Sequence, residues 1–304
     1  MKTTEGTKRI VVCADDVGMH PGIDMAVLQL AEIGRLGAAS CLVDGVSFSR
    51  NAKALDLSGL QIGLHLNFTE RLNPDRDPTM LYLPVSVLIA RSYLRQLNET
   101  GVRRQIVRQL DRFEAVLGRS PDFVDGHQHV HQFPQIRRCL MAELVHRYPN
   151  KRLWIRNTRV GRLGMTGSFR FKAGVIQGLG SARLVRLTQG SHFTVNHDFL
   201  GVYDFRGGSE AYGRLLKTWL GAAENGSVLM CHPASESVGD GLGSQRVAEL
   251  EVLADKRMGA WLEEYGLSVG GLPVWATACK TVMYLTRWSF CLYLYVFIQT
   301  FRRF

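Results

Sequence analysis

A distorted (βα) TIM-like barrel of about seven parallel strands, within the α/β class, is the fold this 304-residue sequence predicts. Short apolar runs alternate with longer amphipathic ones, and that alternation implies parallel strands joined by helical crossovers. Seven such units fill one large domain over 8–268, a size better suited to a single barrel than to a row of small modules. No G-x-G-x-x-G follows the first apolar run and no G-x-x-x-x-G-K-[ST] occurs. The open doubly wound sheet, the other architecture the alternation permits, therefore lacks its usual nucleotide motifs.

Strands are expected at 9–14, 38–43, 60–65, 122–125, 153–156, 191–195 and 227–231, each a short apolar run bounded by turn residues. Between them, Ile23, Val27, Leu30 and Ile33 recur at helical spacing and predict a helix over 22–33. Val102, Ile106, Leu110, Phe113 and Leu117 predict another over 102–117, which Gly118 ends. Pro134 is a good first-turn residue for a helix over 135–148. Two more are expected at 209–224 and 244–265. Pro74, Pro78 and Pro84 make a loop of the region from 70 to 100, with a short helix over 81–93; an insertion this long beside a strand end forms part of a substrate mouth.

The net charge of +10 is unevenly spread. Arg91, Arg95, Arg103, Arg104 and Arg108 cluster in one helical region, and 272–304 carries Lys280, Arg287, Arg302 and Arg303 with no acid. Such surfaces attract anionic lipid, phosphate-bearing glycan or nucleic acid, although a solvated face is the simpler reading. No zinc finger or aromatic-interleaved platform accompanies the charge, so no nucleic-acid partner is expected. Six cysteines form no C-x-x-C pair, which suits free thiols in a reducing compartment. With a polar start and no signal peptide, a cytoplasmic location is expected. The extension 269–304 contains an apolar stretch over 288–298, too short to span a bilayer. It can lie on an anionic membrane surface, pack on the barrel or make a homodimer contact.

Polar residues collect where the strands end. The first run gives Asp15-Asp16, the third His65, the fourth Asp125-Gly126-His127-Gln128-His129-Val130-His131, the fifth Arg156 and the last His232-Pro233. In a parallel barrel these carboxyl ends converge on the face where active sites are built. Two adjacent carboxylates repel each other and call for a cation or a shared proton; alone, Asp16 would read as a helix cap. Three imidazoles at alternate positions of an extended chain suit a divalent metal, with one or two left to touch substrate. His65 and His232 would each pass for a core histidine were they not level with the other sets. Arg156 can bind an anion or orient Asp15.

These motifs resemble the YdjC-like carbohydrate deacetylases, the group that includes chitooligosaccharide and hopanoid-associated deacetylases. The matching pieces are Ala14-Asp15-Asp16-Val17-Gly18, Gly63-Leu64-His65-Leu66-Asn67, Asp125 through His131 with Phe133-Pro134, and Met230-Cys231-His232-Pro233, over roughly 8–268. The resemblance implies a distorted barrel and a divalent metal, Mg²⁺ or Zn²⁺, held by Asp16, His65 and His127. It makes Asp15 the base and His232 the acid, assisted by Arg156, with His129, His131 and Asn67 beside the substrate. The implied reaction removes an acetyl group from an N-acetylated amino sugar or glycolipid. Val17, Ala234 and Arg71 depart from the family pattern, which leaves the particular sugar open. A metal-dependent phosphoesterase or amidohydrolase is the nearest rival, but those enzymes commonly begin with His-x-His at the first strand. A non-catalytic sugar-binding protein is the alternative from another class.

Overall fold

Parallel pairing runs throughout the computed structural model, which describes residues 6–73, 80–161 and 169–273. The chain passes through β1 (Lys8–Val17), α1 (Pro21–Glu32), β2 (Ala38–Cys41), α2 (Phe48–Leu57), β3 (Gln61–Leu66), α3 (Val85–Tyr93) and α4 (Glu99–Leu117). It continues with β4 (Phe123–Gly126), α5 (Pro134–Arg147), β5 (Trp154–Ile155), α6 (Phe169–Gly178), α7 (Ser181–Gln189), β6 (Thr194–Val195) and β7 (Phe199–Leu200). Last come α8 (Gly208–Ala222), β8 (Val228–Cys231), α9 (Gln245–Ala254), α10 (Lys256–Glu264) and β9 (Leu267–Val269). Strand order is β6-β5-β4-β3-β2-β1-β8-β7, and β9 pairs with the start of β1.

β6 and β7 are the two edges of this path, yet only residues 196–198 separate them in sequence. Three residues cannot make a crossover between neighbouring parallel strands. They can reach no more than about 15 Å, so the sheet must curl until its edges almost meet. The result is a barrel with an open seam. Asn196 ties it: its Oδ1 accepts from the Asn157 backbone at 2.7 Å and its Nδ2 donates to the Asn157 and Asp198 carbonyls.

Alternation along each strand divides the core in two. Ile10, Val12, Ala39, Ile62, Leu64, Val124, Ile155 and Leu229 pack outward against the helices. Val11, Cys13, Ala38, Phe123, Trp154, Phe199, Val228 and Met230 fill the barrel. Phe123 and Trp154 stack there with ring centroids 4.1 Å apart. Gly63 makes room for them, because a Cβ at that position would stand 2.4 Å from the Phe123 ring.

All seven expected strands are present; β7 and β9, two and three residues long, were too short to show a period. Asn98 and the left-handed Gly118 bound α4, its stop falling where the sequence put it. The single helix expected over 244–265 is two, because Asp255 turns extended and caps α10 through the Arg257 N–H. Helices α2, α6 and α7 were not anticipated. Cys13, Cys41, Cys139 and Cys231 are free thiols. Val17 and Ala234, two of the departures from the family pattern, are fully buried packing residues and not part of the cavity wall. Among the described residues no helix is long and apolar enough to cross a membrane. The apolar extension beyond 273, with Cys279 and Cys291, and the loop around Pro74 and Pro78 lie outside the described residues.

Candidate metal centre and active site

Strand parity decides which polar groups enter the barrel. Positions that continue the inward sets are Asp15 on β1, Ser40 on β2, His65 on β3, Asp125 on β4, Arg156 after β5 and His232 after β8. Asp16 has the outward parity. It reaches the interior because the β1–β2 register slips: Ala14 faces Ala39 whereas Val17 faces Cys41. Asp16 adopts φ 63°, a left-handed conformation that Asp tolerates better than most residues. This bulge re-aims its side chain, so two consecutive carboxylates line one cavity with His65, His127, His129 and His232.

Asp16 is the centre of the contacts. Its Oδ1 lies 2.9 Å from His127 Nδ1 and 3.5 Å from His65 Nε2, and its Oδ2 accepts from Arg246 Nη2 at 2.6 Å. Ligand atoms of Asp16, His65 and His127 all fall within 4.8 Å of one another. Donors around a tetrahedral zinc ion, each about 2.0–2.2 Å from it, stand roughly 3.3 Å apart. A carboxylate and two imidazoles facing one another at these separations are a donor set suited to a divalent cation.

Each of these residues has a partner behind it. His65 Nδ1 is 2.7 Å from Asp125 Oδ1 and 2.9 Å from Ser40 Oγ, which leaves Nε2 facing Asp16. Carboxylates in this position fix the ring and raise its basicity. His127 Nε2 stands 3.0 Å from Glu70 Oε1, an ion-pair distance off the N–H direction. Asn67 shapes the Glu70 turn, accepting from the Thr69 and Glu70 amides and donating to the Glu70 carbonyl. It is buried in that task and is not among the cavity walls.

A second group of possible ligands, Cys13, Asp15 and Asp125, already holds a cation. The Arg156 guanidinium lies 2.5 Å from each Asp15 oxygen, 2.6 Å from Asp125 Oδ2 and 3.0 Å from Cys13 Sγ. Arg156 is therefore a buried brace that fixes the orientation of Asp15.

The three imidazoles after β4 do not share one face. Gln128 and His129 adopt left-handed φ of 51° and 60°, curling His127–Gln132 into a 3-10 turn where an extended segment was expected. The chain must reverse there to enter α5. His127 and His129 line the cavity, while His131 is fully buried and bonds through Nε2 to the Arg156 carbonyl at 2.8 Å. Burial pushes His131 down to about 4, and burial with Arg156 keeps His129 neutral too. His232 sits edge-on to Phe205 at 5.0 Å, and burial, against the pull of Asp16 and Asp15, takes its ring down to about 4.

A family model described as YdjC-like protein matches residues 9–264. The chain belongs to the YdjC-like family. Among relatives, the carbohydrate deacetylase of Mus musculus is 33% identical over 149 residues, 46% of this chain and 48% of that protein. The chitooligosaccharide deacetylase of Serratia marcescens is 30% identical over 134 residues, 42% of this chain and 53% of that one. The chain thus spans about half the length of the curated relatives it matches. The fold is shared with an Enterococcus faecalis protein described as a candidate cellobiose-phosphate cleavage protein, at TM-score 0.65 and 20% identity, covering 88% of this chain and 98% of that one. A peptidoglycan N-acetylglucosamine deacetylase aligns at TM-score 0.50 and 13% identity, covering 89% and 88%.

Four residues of this YdjC-like site are given no part in it by the sequence motifs. Asp125 and Ser40 are inward-parity residues, so a strict count along each strand would have found them. Glu70 lies on a turn and Arg246 at the start of α9, where no short motif marks either.

The paired ionisations predict how metal uptake depends on pH. Burial opposes charge on His65 and His127, but Asp125 and Asp16 outweigh it, lifting the rings to about 9 and about 10. Both exceed the ordinary value of about 6.5, so their pairing stabilises the metal-free protein fully below that pH. That contribution is lost as pH rises through 9 and then 10. A metal needs both rings deprotonated, so its apparent affinity rises with pH across the same window. Calorimetric titration of Zn²⁺ from pH 6.5 to 9 is expected to show steadily tighter binding with proton release; a flat affinity would mean these rings are not the ligands.

Proposed function

We propose that this YdjC-like chain removes the N-acetyl group of an amino sugar, in an oligosaccharide or a glycolipid, using a divalent metal held by Asp16, His65 and His127. The observation that carries the proposal is the Asp16 carboxylate facing two imidazole nitrogens, each imidazole in turn placed against its own carboxylate. Deacetylase relatives from mouse and Serratia support the substrate class. Two imidazoles in the donor set favour Zn²⁺ over Mg²⁺.

An amide carbonyl is a poor electrophile, and a bound divalent cation supplies both a more acidic water and a polarised carbonyl oxygen. The remaining work falls to the protein. The family resemblance implies Asp15 as the base and His232 as the acid. The structure supports a modified division, because both Asp15 oxygens are engaged by Arg156 whereas His232 is neutral above about pH 4. His232 then accepts the proton of the attacking water and returns it to the departing amine. Asp15, held rigid by Arg156, stabilises the imidazolium between those two transfers. Positioned proton transfer of this kind contributes about 10²–10⁴-fold.

The test is acetate release from a panel of N-acetylated mono- and oligosaccharides, with the protein stripped of metal and then reloaded. Acetate appearing only after reloading is the expected result. Phosphate release from generic esters with no acetate from any sugar would replace this reading with the phosphoesterase one.

A further inference from the structure

Helices α1, α2, α4, α5, α8, α9 and α10 each carry at least one Asp or Glu, and several surface cations pair with acids, as in Arg103–Glu143, Arg147–Glu114, Arg119–Asp122 and Lys217–Glu264. Helices α3, α6 and α7 break that pattern. The sequence has no Asp or Glu at 78–98 or at 144–197, so these three helices carry only positive charge. Arg91, Arg95, Arg183 and Arg186 are exposed, and among the described residues none has an ion-pair partner. α3 and the α6–α7 junction form one surface: Tyr93 donates from its hydroxyl to the Leu179 carbonyl at 2.7 Å. Arg137, bonded to the Gly180 carbonyl beneath them, has its pKa lowered by burial, against Tyr93 and with Arg183 and Arg95 both adding to the fall.

The same helices expose apolar side chains. Phe171 on α6, Leu187 on α7 and Leu94 at the end of α3 are 53%, 42% and 66% exposed, where a merely solvated cationic face would gain nothing from them. Arginine interleaved with exposed Phe and Leu is the composition of elements that rest in a bilayer interface. A nucleic-acid face would need the charge but not the apolar groups. α6 also contributes Ile176 to the wall of the cavity, so this surface adjoins the site.

We infer that α3, α6 and α7 form a docking face for a membrane surface rich in anionic phospholipid. The docking stands apart from the deacetylase reading; only its corollary, that the acetylated sugar is carried on a lipid, rests on that reading. Each basic residue near such a surface strengthens binding about fivefold, so four together amount to about 10²–10³-fold.

Cosedimentation of the full chain with phosphatidylcholine vesicles, with and without phosphatidylglycerol, tests the inference. Binding is expected only to the anionic vesicles and should fall in high salt. The combined substitution Arg91→Gln, Arg95→Gln, Arg183→Gln and Arg186→Gln should reduce it at least a hundredfold, about the low end of that range, with the melting temperature unchanged. Phe171→Ser should weaken it severalfold with every charge in place. Equal binding to neutral vesicles, or undiminished binding by the four-glutamine variant, would overturn the proposal. So would duplex DNA displacing the vesicles while Phe171→Ser has no effect. Acetate release from a soluble N-acetylated oligosaccharide, measured on the same proteins, separates lost docking from a wrong reaction.

Discussion

His127→Ala is expected to weaken metal binding by at least about 10²-fold and to lower deacetylation by at least about 10³-fold. The chain should remain folded, because Asp16 keeps its bond to Arg246 and the cavity-facing ring is not a core element. His131→Ala gives the contrast. That ring bonds to the Arg156 carbonyl away from the cavity, so its loss should lower the melting temperature and leave metal affinity within a fewfold of the parent. Calorimetric metal titration and acetate release on both variants check the pair. Equal metal loss from both would mean that the three imidazoles act as one cluster after all.

Arg156→Met is expected to have the largest effect on stability. The guanidinium is fully buried between Asp15 and Asp125, and removing it leaves two carboxylates facing each other without a cation. Breaking a buried pair in this way costs about 3–5 kcal/mol. For a domain of this size that corresponds to a fall of roughly 6–20 °C in melting temperature. Arg156→Lys should recover only part of it, since an ammonium cannot match the two-pronged contact with Asp15. Adding Asp15→Asn to Arg156→Met should restore stability without activity. A melting temperature unchanged in Arg156→Met would show that the two acids share a proton and need no arginine.

Much of this architecture is legible in the sequence because the chemistry sits at strand ends. Asp15, His65, Asp125, Arg156 and His232 each follow an apolar run, and parallel topology sends those ends to one face. Three things were hidden. The inward turn of Asp16 depends on a register slip against β2, which involves a partner strand and not local composition. The separation of His127 from His131 depends on two left-handed residues, and neither Gln128 nor His129 announces that conformation. Arg246 reaches Asp16 across 230 positions, and long-range pairing of that kind has no spacing to read. The family resemblance supplied the ligand set that the residues alone left open among the histidines.

The unpaired edge between β6 and β7 gives the barrel two sides of different stiffness. Asp16, His65 and His127 are carried on β1, on β3 and directly after β4, inside an unbroken ladder of strand pairs. Val202, Tyr203 and Phe205 follow β7 and face the same cavity from beside the seam, where side-chain bonds from Asn196 replace the ladder. On the proposed reading, a larger sugar would be accommodated by yielding on that side while the distances among Asp16, His65 and His127 stay fixed. Changes to that wall alone would then alter what the cavity admits, with Asp16, His65 and His127 left in place.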